Sequence, residues 1–202
     1  MAVKKKIGLL GGSFDPVHLA HIALAETALH ALELNEVQLV PASDPWQRRP
    51  LSATGEQRMA MLEIAIRGLP RLGVNPVEIQ RGGKTYTIDT LRQLPGAAVY
   101  YWILGADQLE NFCSWHEWRE IIGLVTLAVA QRPGSPLAAP QALLSELNNQ
   151  GRSLIELPFQ PTPISATIIR HRIAASEATD GLLDVAVAQY IEQNGLYRAP
   201  VA

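Results

Sequence analysis

The stretch IGLLGGSFDPVHLAH, residues Ile7–His21, decides how this chain folds. Ile7 to Leu10 is a short, unbroken apolar run, the pattern of a strand buried on both faces. Gly11 and Gly12 follow at once, where the absence of a side chain permits backbone conformations and close ligand approach that a Cβ would block. From His18 to Leu32 apolar and small residues (Leu19, Ile22, Ala23, Ala25, Leu29, Leu32) recur at helical spacing. Strand, glycine turn and helix in that order aim a helix N-terminus, with its free amides and positive dipole end, at the carboxyl end of the strand, and that favours an anion. His18 and His21 stand at i and i+3, on one helix face beside that anion site. A pair of histidines on an arbitrary helix is more often surface decoration or a satisfied buried pair. Metal ligation would need a third His, Cys or carboxylate at ligand spacing, and none is near. The stretch matches neither the G-x-x-x-x-G-K-[ST] loop nor the G-x-G-x-x-G turn.

The same alternation continues along the chain. Strands are predicted at Glu36–Pro41, Val74–Ile79, Ala98–Leu104, Val125–Val129 and Ser153–Leu157. Helices are predicted at Thr54–Leu69, Thr87–Leu94, Ala166–Ala175 and Leu182–Gln193. Thr54 and Gln57 have capping-box spacing. Apolar strands separated by helices indicate an α/β, doubly wound parallel sheet of Rossmann-like type, which binds ligands at the carboxyl ends of its strands. Residues 1–202 read as one domain, with about 164–202 a helical C-terminal subregion.

Composition sets limits. The chain has 202 residues, 48% hydrophobic and 18% charged, with a net charge of −2. That is globular composition, long enough for a core, and not the basic balance that binds long nucleic acid. One cysteine, Cys113, forbids an intrachain disulfide and fits a reducing compartment. No run approaches the length that spans a bilayer, and the basic start (Lys4-Lys5-Lys6) lacks the apolar stretch of a signal peptide. The expected setting is cytoplasmic, without membrane or long nucleic-acid partners; self-association into a homo-oligomer is left open.

Gly11–His21 resembles the HxGH signature of a nucleotidyltransferase superfamily. A second segment, Pro163-Ile164-Ser165-Ala166-Thr167-Ile168-Ile169-Arg170, is similar to the Ser-x-Thr-x-x-Arg signature of the same superfamily. Read physically, Ser165 caps a helix whose amides face an anion, and Arg170 adds a charged fork. Further elements resemble bacterial nicotinate-nucleotide adenylyltransferases: Lys84–Leu91 (KTYTIDTL), Ile103–Asp107 (ILGAD), Ser114-Trp115-His116, and the closing Tyr190-Ile191 with Leu196-Tyr197-Arg198.

The resemblance implies an enzyme that joins ATP to nicotinate mononucleotide, giving deamido-NAD and pyrophosphate in NAD biosynthesis, with Mg²⁺ accompanying ATP. It implies catalytic roles for His18, His21 and Arg170. ATP would be bound by Gly11, Gly12, Ser13, Phe14, Ala20, Gly105, Asp107, Ser165 and Thr167. The mononucleotide would meet Gln47, Arg48, Tyr86, Thr87, Trp115 and His116, with Trp115 stacked on the pyridine and Thr87 at its carboxylate. Neutral donors there would favour a carboxylate over a carboxamide.

Three departures stand out. Ala20 occupies the place of the usual Gly, where its methyl is expected to weaken ATP binding slightly. Ser13 replaces a Thr. Pro45-Trp46-Gln47-Arg48 replaces a Pro-Pro-His-Lys/Arg loop, in a 41–55 segment that reads as a lid. The alternatives are an adenylyltransferase acting on nicotinamide mononucleotide or phosphopantetheine, or a non-catalytic nucleotide-binding protein.

Overall fold

A computed structural model describes residues 4–45, 51–131, 137–160 and 162–198. The elements run β1 (Lys5–Gly12), α1 (Leu19–Ala31), β2 (Glu36–Pro41), β3 (Asp44–Pro45), α2 (Gly55–Ala65), β4 (Leu72–Val74), α3 (Val77–Arg81), β5 (Lys84–Thr85) and α4 (Thr87–Arg92). They continue with β6 (Ala98–Gly105), α5 (Ala106–Glu110), α6 (Trp118–Leu124), β7 (Thr126–Gln131), α7 (Gln141–Asn149), β8 (Ile155–Pro158), α8 (Ala166–Ala174) and α9 (Val185–Gln193).

Six strands form one sheet in the order β4-β2-β1-β6-β7-β8, and every pairing is parallel. This is the doubly wound α/β architecture expected from the sequence. The chain leaves β1 toward β2 on one side and enters β6 on the other, so the topological switch lies between β1 and β6. There Leu10 pairs with Ile103, and the strands end at Gly12 and Gly105. That crevice is where such sheets hold ligands.

Side chains alternate between two cores, as strand geometry requires. Leu10, Leu39, Ile103 and Ala128 point to one face, with α1, α2, α8 and α9. Leu9, Val40, Trp102, Leu104 and Val129 point to the other, with α4, α5, α6 and α7. The C-terminal residues Leu183, Val187, Ile191 and Leu196 are buried in the first core beside Met61 and Leu62 of α2.

The predicted cap of α2 is present in both directions: Gln57 N donates to Thr54 Oγ1 at 3.2 Å and Thr54 N to Gln57 Oε1 at 2.9 Å. The predicted strand Val74–Ile79 is a correction. Pro76 cannot donate to a ladder, and Asn75 Oδ1 accepts from Val77 N at 3.1 Å, so the strand stops at Val74 and Val77 begins a helix. Gly82 and Gly83 then turn the chain with φ of +68° and +71°. A two-stranded parallel pair, β3 with β5, was not foreseen; it joins Pro45 to Thr85.

Candidate functional site

A cleft of about 460 Å³ opens at the switch point. At one wall β1 delivers Gly11, Gly12 and Ser13, and α1 delivers His18 and His21. Neither glycine takes a left-handed conformation. A Cβ on Gly11 would meet the Trp102 ring at 2.7 Å, and one on Gly12 the Phe14 ring at 2.9 Å. Their smallness therefore serves packing inside the protein as well as approach from the cleft.

His18 is the N-cap of α1 rather than a member of its first turn. Its ring stacks on that of His21, centroids 3.6 Å apart and planes 18° from parallel. The His18 backbone N–H donates to His21 Nδ1 at 3.2 Å. An imidazole that accepts at Nδ1 carries its proton on Nε2 when neutral, so His21 offers Nε2–H as a donor. Burial lowers the His18 pKa to about 4, and its Nδ1 has no hydrogen-bond partner among the described residues. Phe14 is expected among the ATP contacts. Its side chain is buried, meets the His21 ring edge-on at 4.9 Å, and does not line the cleft. It supports the imidazole from beneath. Ala20 does not line the cleft either; Leu24 takes that part of the wall.

At a second wall, Ser165 caps α8 by accepting from Ile168 N at 3.2 Å, as the sequence predicts. Ser165, Ala166 and Thr167 all line the cleft, where the amides of the first turn lack intrahelical partners. Arg170 lies one turn further on and outside the lining. It donates to the Asp15 carbonyl at 2.7 Å and to Thr167 Oγ1 at 3.4 Å. Gly105 and Asp107 close the cleft at the end of β6; Gly105, not Asp107, is the N-cap of α5.

The far end holds Tyr86, Thr87, Trp115 and His116. The Tyr86 and His116 rings approach to 4.9 Å, so two segments distant in sequence form one surface. Arg92 of α4 bridges Glu117 and Glu120, which ties the helix bearing Thr87 to the turn bearing Trp115. Trp115 packs on Phe112 at 5.0 Å, and its Nε1–H is buried without a partner among the described residues. Gln47 and Arg48, with the centre of the expected lid, lie outside the described residues.

Three residues that support the site leave little or no trace in the sequence. Asp15 is buried, and its carboxylate accepts from Ser52 N (2.7 Å), Ala53 N (3.1 Å) and Tyr197 O–H (2.8 Å). Arg58 is buried and donates to the carbonyls of Ser13 (2.8 Å) and Ala53 (3.3 Å). Burial lowers its pKa against the pull of Asp15. Glu78 is buried at the edge of the cleft. Only Arg58 left a local signal, a charge on the apolar stripe it shares with Met61 and Leu62.

A protein of Bordetella petrii named "Probable nicotinate-nucleotide adenylyltransferase" is 60% identical over 96% of this chain and 100% of its own length. Its namesake in Chromobacterium violaceum is 40% identical over 96% of this chain and 99% of its own. Among solved structures, Plasmodium falciparum nicotinic acid mononucleotide adenylyltransferase complexed with NaAD superposes with a TM-score of 0.74. It is 18% identical, and the match covers 96% of this chain and 97% of that one, which shows the shared fold. The cytidylyltransferase-like family model matches residues 9–172. Cleft, sheet order and near-full-length relatives agree with that match, and the chain belongs to the cytidylyltransferase-like family.

Proposed function

We propose that this protein transfers the adenylyl group of ATP to nicotinate mononucleotide, releasing pyrophosphate and forming deamido-NAD. The observation that carries the reading is that one cleft joins two stacked imidazoles and a capped helix N-terminus at one end to an aromatic, donor-rich pair of turns at the other. The first end suits a triphosphate and the second a flat anionic ring. The near-full-length relatives bear the name of that activity.

A 5′-phosphate oxygen of the mononucleotide attacks the α-phosphorus of ATP. The new P–O bond forms as the bond to the pyrophosphate oxygen breaks. The nucleophile is already an anion, so no base is needed, and catalysis is positioning and charge stabilisation. His18 and His21 hold the α-phosphoryl oxygens; the amides of Ala166 and Thr167, with Arg170, hold the departing pyrophosphate. Arg170 must turn from the Asp15 carbonyl to do so, or act through the Asp15 loop it now fixes. Trp115 stacks on the pyridine, and Thr87 with nearby amides receives its carboxylate.

Among the described residues no three His, Cys, Asp or Glu side chains gather to hold a metal ion. Mg²⁺ prefers oxygen ligands and keeps its waters, so the fit is to an ion that would be carried in by the ATP phosphates, with Asp107 a carboxylate that lines the same cleft. Mg²⁺ supplies charge neutralisation there. No helix among the described residues is long and apolar enough to cross a membrane, and we place the reaction in the cytoplasm. The test is pyrophosphate release from MgATP with nicotinate mononucleotide, nicotinamide mononucleotide or phosphopantetheine supplied in turn. Release with the first alone is expected; release without any acceptor, or faster release with another, would overturn the assignment.

A further inference from the structure

Among the described residues, Glu78 is the one buried carboxylate at the cleft wall that the reaction above does not use. It is 3% exposed and stands on α3, behind the turn that carries Tyr86 and Thr87. Its hydrogen bonds have a fixed direction. The backbone amides of Ser43 and Asp44 donate to Thr85 Oγ1 at 3.0 and 3.3 Å. Amides only donate, so the Thr85 hydroxyl proton must go elsewhere, and Glu78 is the carboxyl group whose ionised form that hydroxyl favours. On the other side Arg81 Nη2 donates to Thr90 Oγ1 at 3.2 Å, and Thr90 Oγ1 donates to Glu78 Oε1 at 2.6 Å. A guanidinium has no acceptor, so this chain runs one way too.

Two donor chains from opposite sides thus end on one carboxyl group. Thr85 and Thr90 bracket Tyr86 and Thr87, so Glu78 grips the first turn of α4 at both ends. Through Thr85 it also holds Ser43 and Asp44, where the chain enters the expected lid. Resting on the mononucleotide reading above, we propose that Glu78 is a specificity-determining positioning residue. As the common acceptor of two donor chains, it fixes the Tyr86–Thr87 turn and the 43–45 strap, and so shapes the end of the cleft that takes the pyridine carboxylate.

The carboxyl group also titrates where it can be read. Burial pushes it up to about 7, against the Thr90 and Thr85 hydroxyls and the guanidiniums of Arg81 and Arg58, which favour the ionised form. Only the ionised carboxylate accepts from both chains; protonated, like a Gln amide, it must donate from one oxygen, so the turn is better fixed and mononucleotide binding strengthens as pH rises through that value.

Glu78→Gln tests this. The amide nitrogen cannot accept a hydroxyl proton, so one donor chain is broken while size is kept. The KM for nicotinate mononucleotide is expected to rise about tenfold, the worth of roughly one polar contact, with the KM for ATP within about twofold. Preference for the acid over nicotinamide mononucleotide falls by a similar factor. In the wild type the mononucleotide KM falls between pH 6 and 8.5; in the variant it stays raised and flat. His116 also lines the cleft, and the comparison with Glu78→Gln separates its contribution. Thr85→Val breaks one chain and leaves the carboxylate, so it gives the same KM split should the first variant not fold. Unchanged mononucleotide KM, or both KM values rising together, would overturn the inference while leaving the activity standing. A wild type inert toward nicotinate mononucleotide would overturn the functional reading, and this inference with it.

Discussion

His18 shows how burial prepares a phosphate ligand. Its pKa of about 4 makes it neutral at pH 7, able to sit against His21 without repulsion. The pH dependence of stability follows. The folded value lies below the unfolded one, so the unfolded chain binds more protons as pH falls; the stability contributed by neutral His18 is present above about 6.5 and lost on the way down to about 4. Urea unfolding at pH 7 and at pH 4 should differ by up to about 3 kcal/mol more in the wild type than in His18→Asn. A bound polyphosphate offsets the cost of burying a charged imidazole, so binding a non-hydrolysable ATP analogue near pH 6 should take up protons; calorimetry in buffers of different ionisation heat reads this directly. His18→Ala should lower kcat by about 10²–10³, the scale of losing one oxyanion donor. Ala20 carries a milder expectation. Since its methyl does not line the cleft, Ala20→Gly should leave the KM for ATP within about twofold and lower stability by about 0.5–1 kcal/mol through helix propensity. A marked fall in that KM would show that the methyl does obstruct the nucleotide.

Among the helices, α8 is legible in the sequence, since a Ser followed by apolar residues at helical spacing announces both its start and its exposed amides. Ser165→Ala removes the bond to Ile168 N, which should cost about 1 kcal/mol and raise the KM for ATP roughly fivefold, with the mononucleotide KM little changed. Steady-state kinetics with each substrate varied would show the split. The box at Thr54 and Gln57 was legible for the same reason, because caps are written in neighbouring residues. The stretch after Val74 was misread because β-branched residues around Pro76 resemble a strand, while a missing N–H and the Asn75 side chain decide for a helix. The small β3–β5 pair and the donor chains onto Glu78 left no local trace. The same holds for the bonds from Arg170 and Tyr197 to Asp15, across 155 and 182 positions, which no periodicity can reveal.

Those long contacts decide how the fold holds together. Asp15 and Arg58 form a buried pair of polar hubs under the cleft floor, and each gathers backbone groups from loops at the carboxyl ends of the strands. The C-terminal residues reach the same place. Tyr197 donates to Asp15, Leu19 N donates to the Leu182 carbonyl, and Leu183, Val187, Ile191 and Leu196 fill one core against α2. If the C-terminal helices were an appendage, removing residues 176–202 would leave the sheet's stability and the ATP end of the cleft intact, because α8 with Arg170 would remain. The packing argues otherwise. Losing four buried aliphatic side chains, each worth about 1.5–3 kcal/mol, exceeds the margin of an ordinary domain once the apolar surface newly exposed on α2 is added. The truncated chain should keep helical far-ultraviolet signal, bind a hydrophobic dye and lose its cooperative urea transition. Tyr197→Phe is the gentler probe of the same link. It removes one bond to a charged acceptor and should lower stability by about 1.5–3 kcal/mol. It should also raise the KM for ATP, because the Asp15 loop it anchors carries the carbonyl that holds Arg170. A truncated protein that still unfolds cooperatively at the wild-type midpoint would show that the C-terminal helices only rest on the domain.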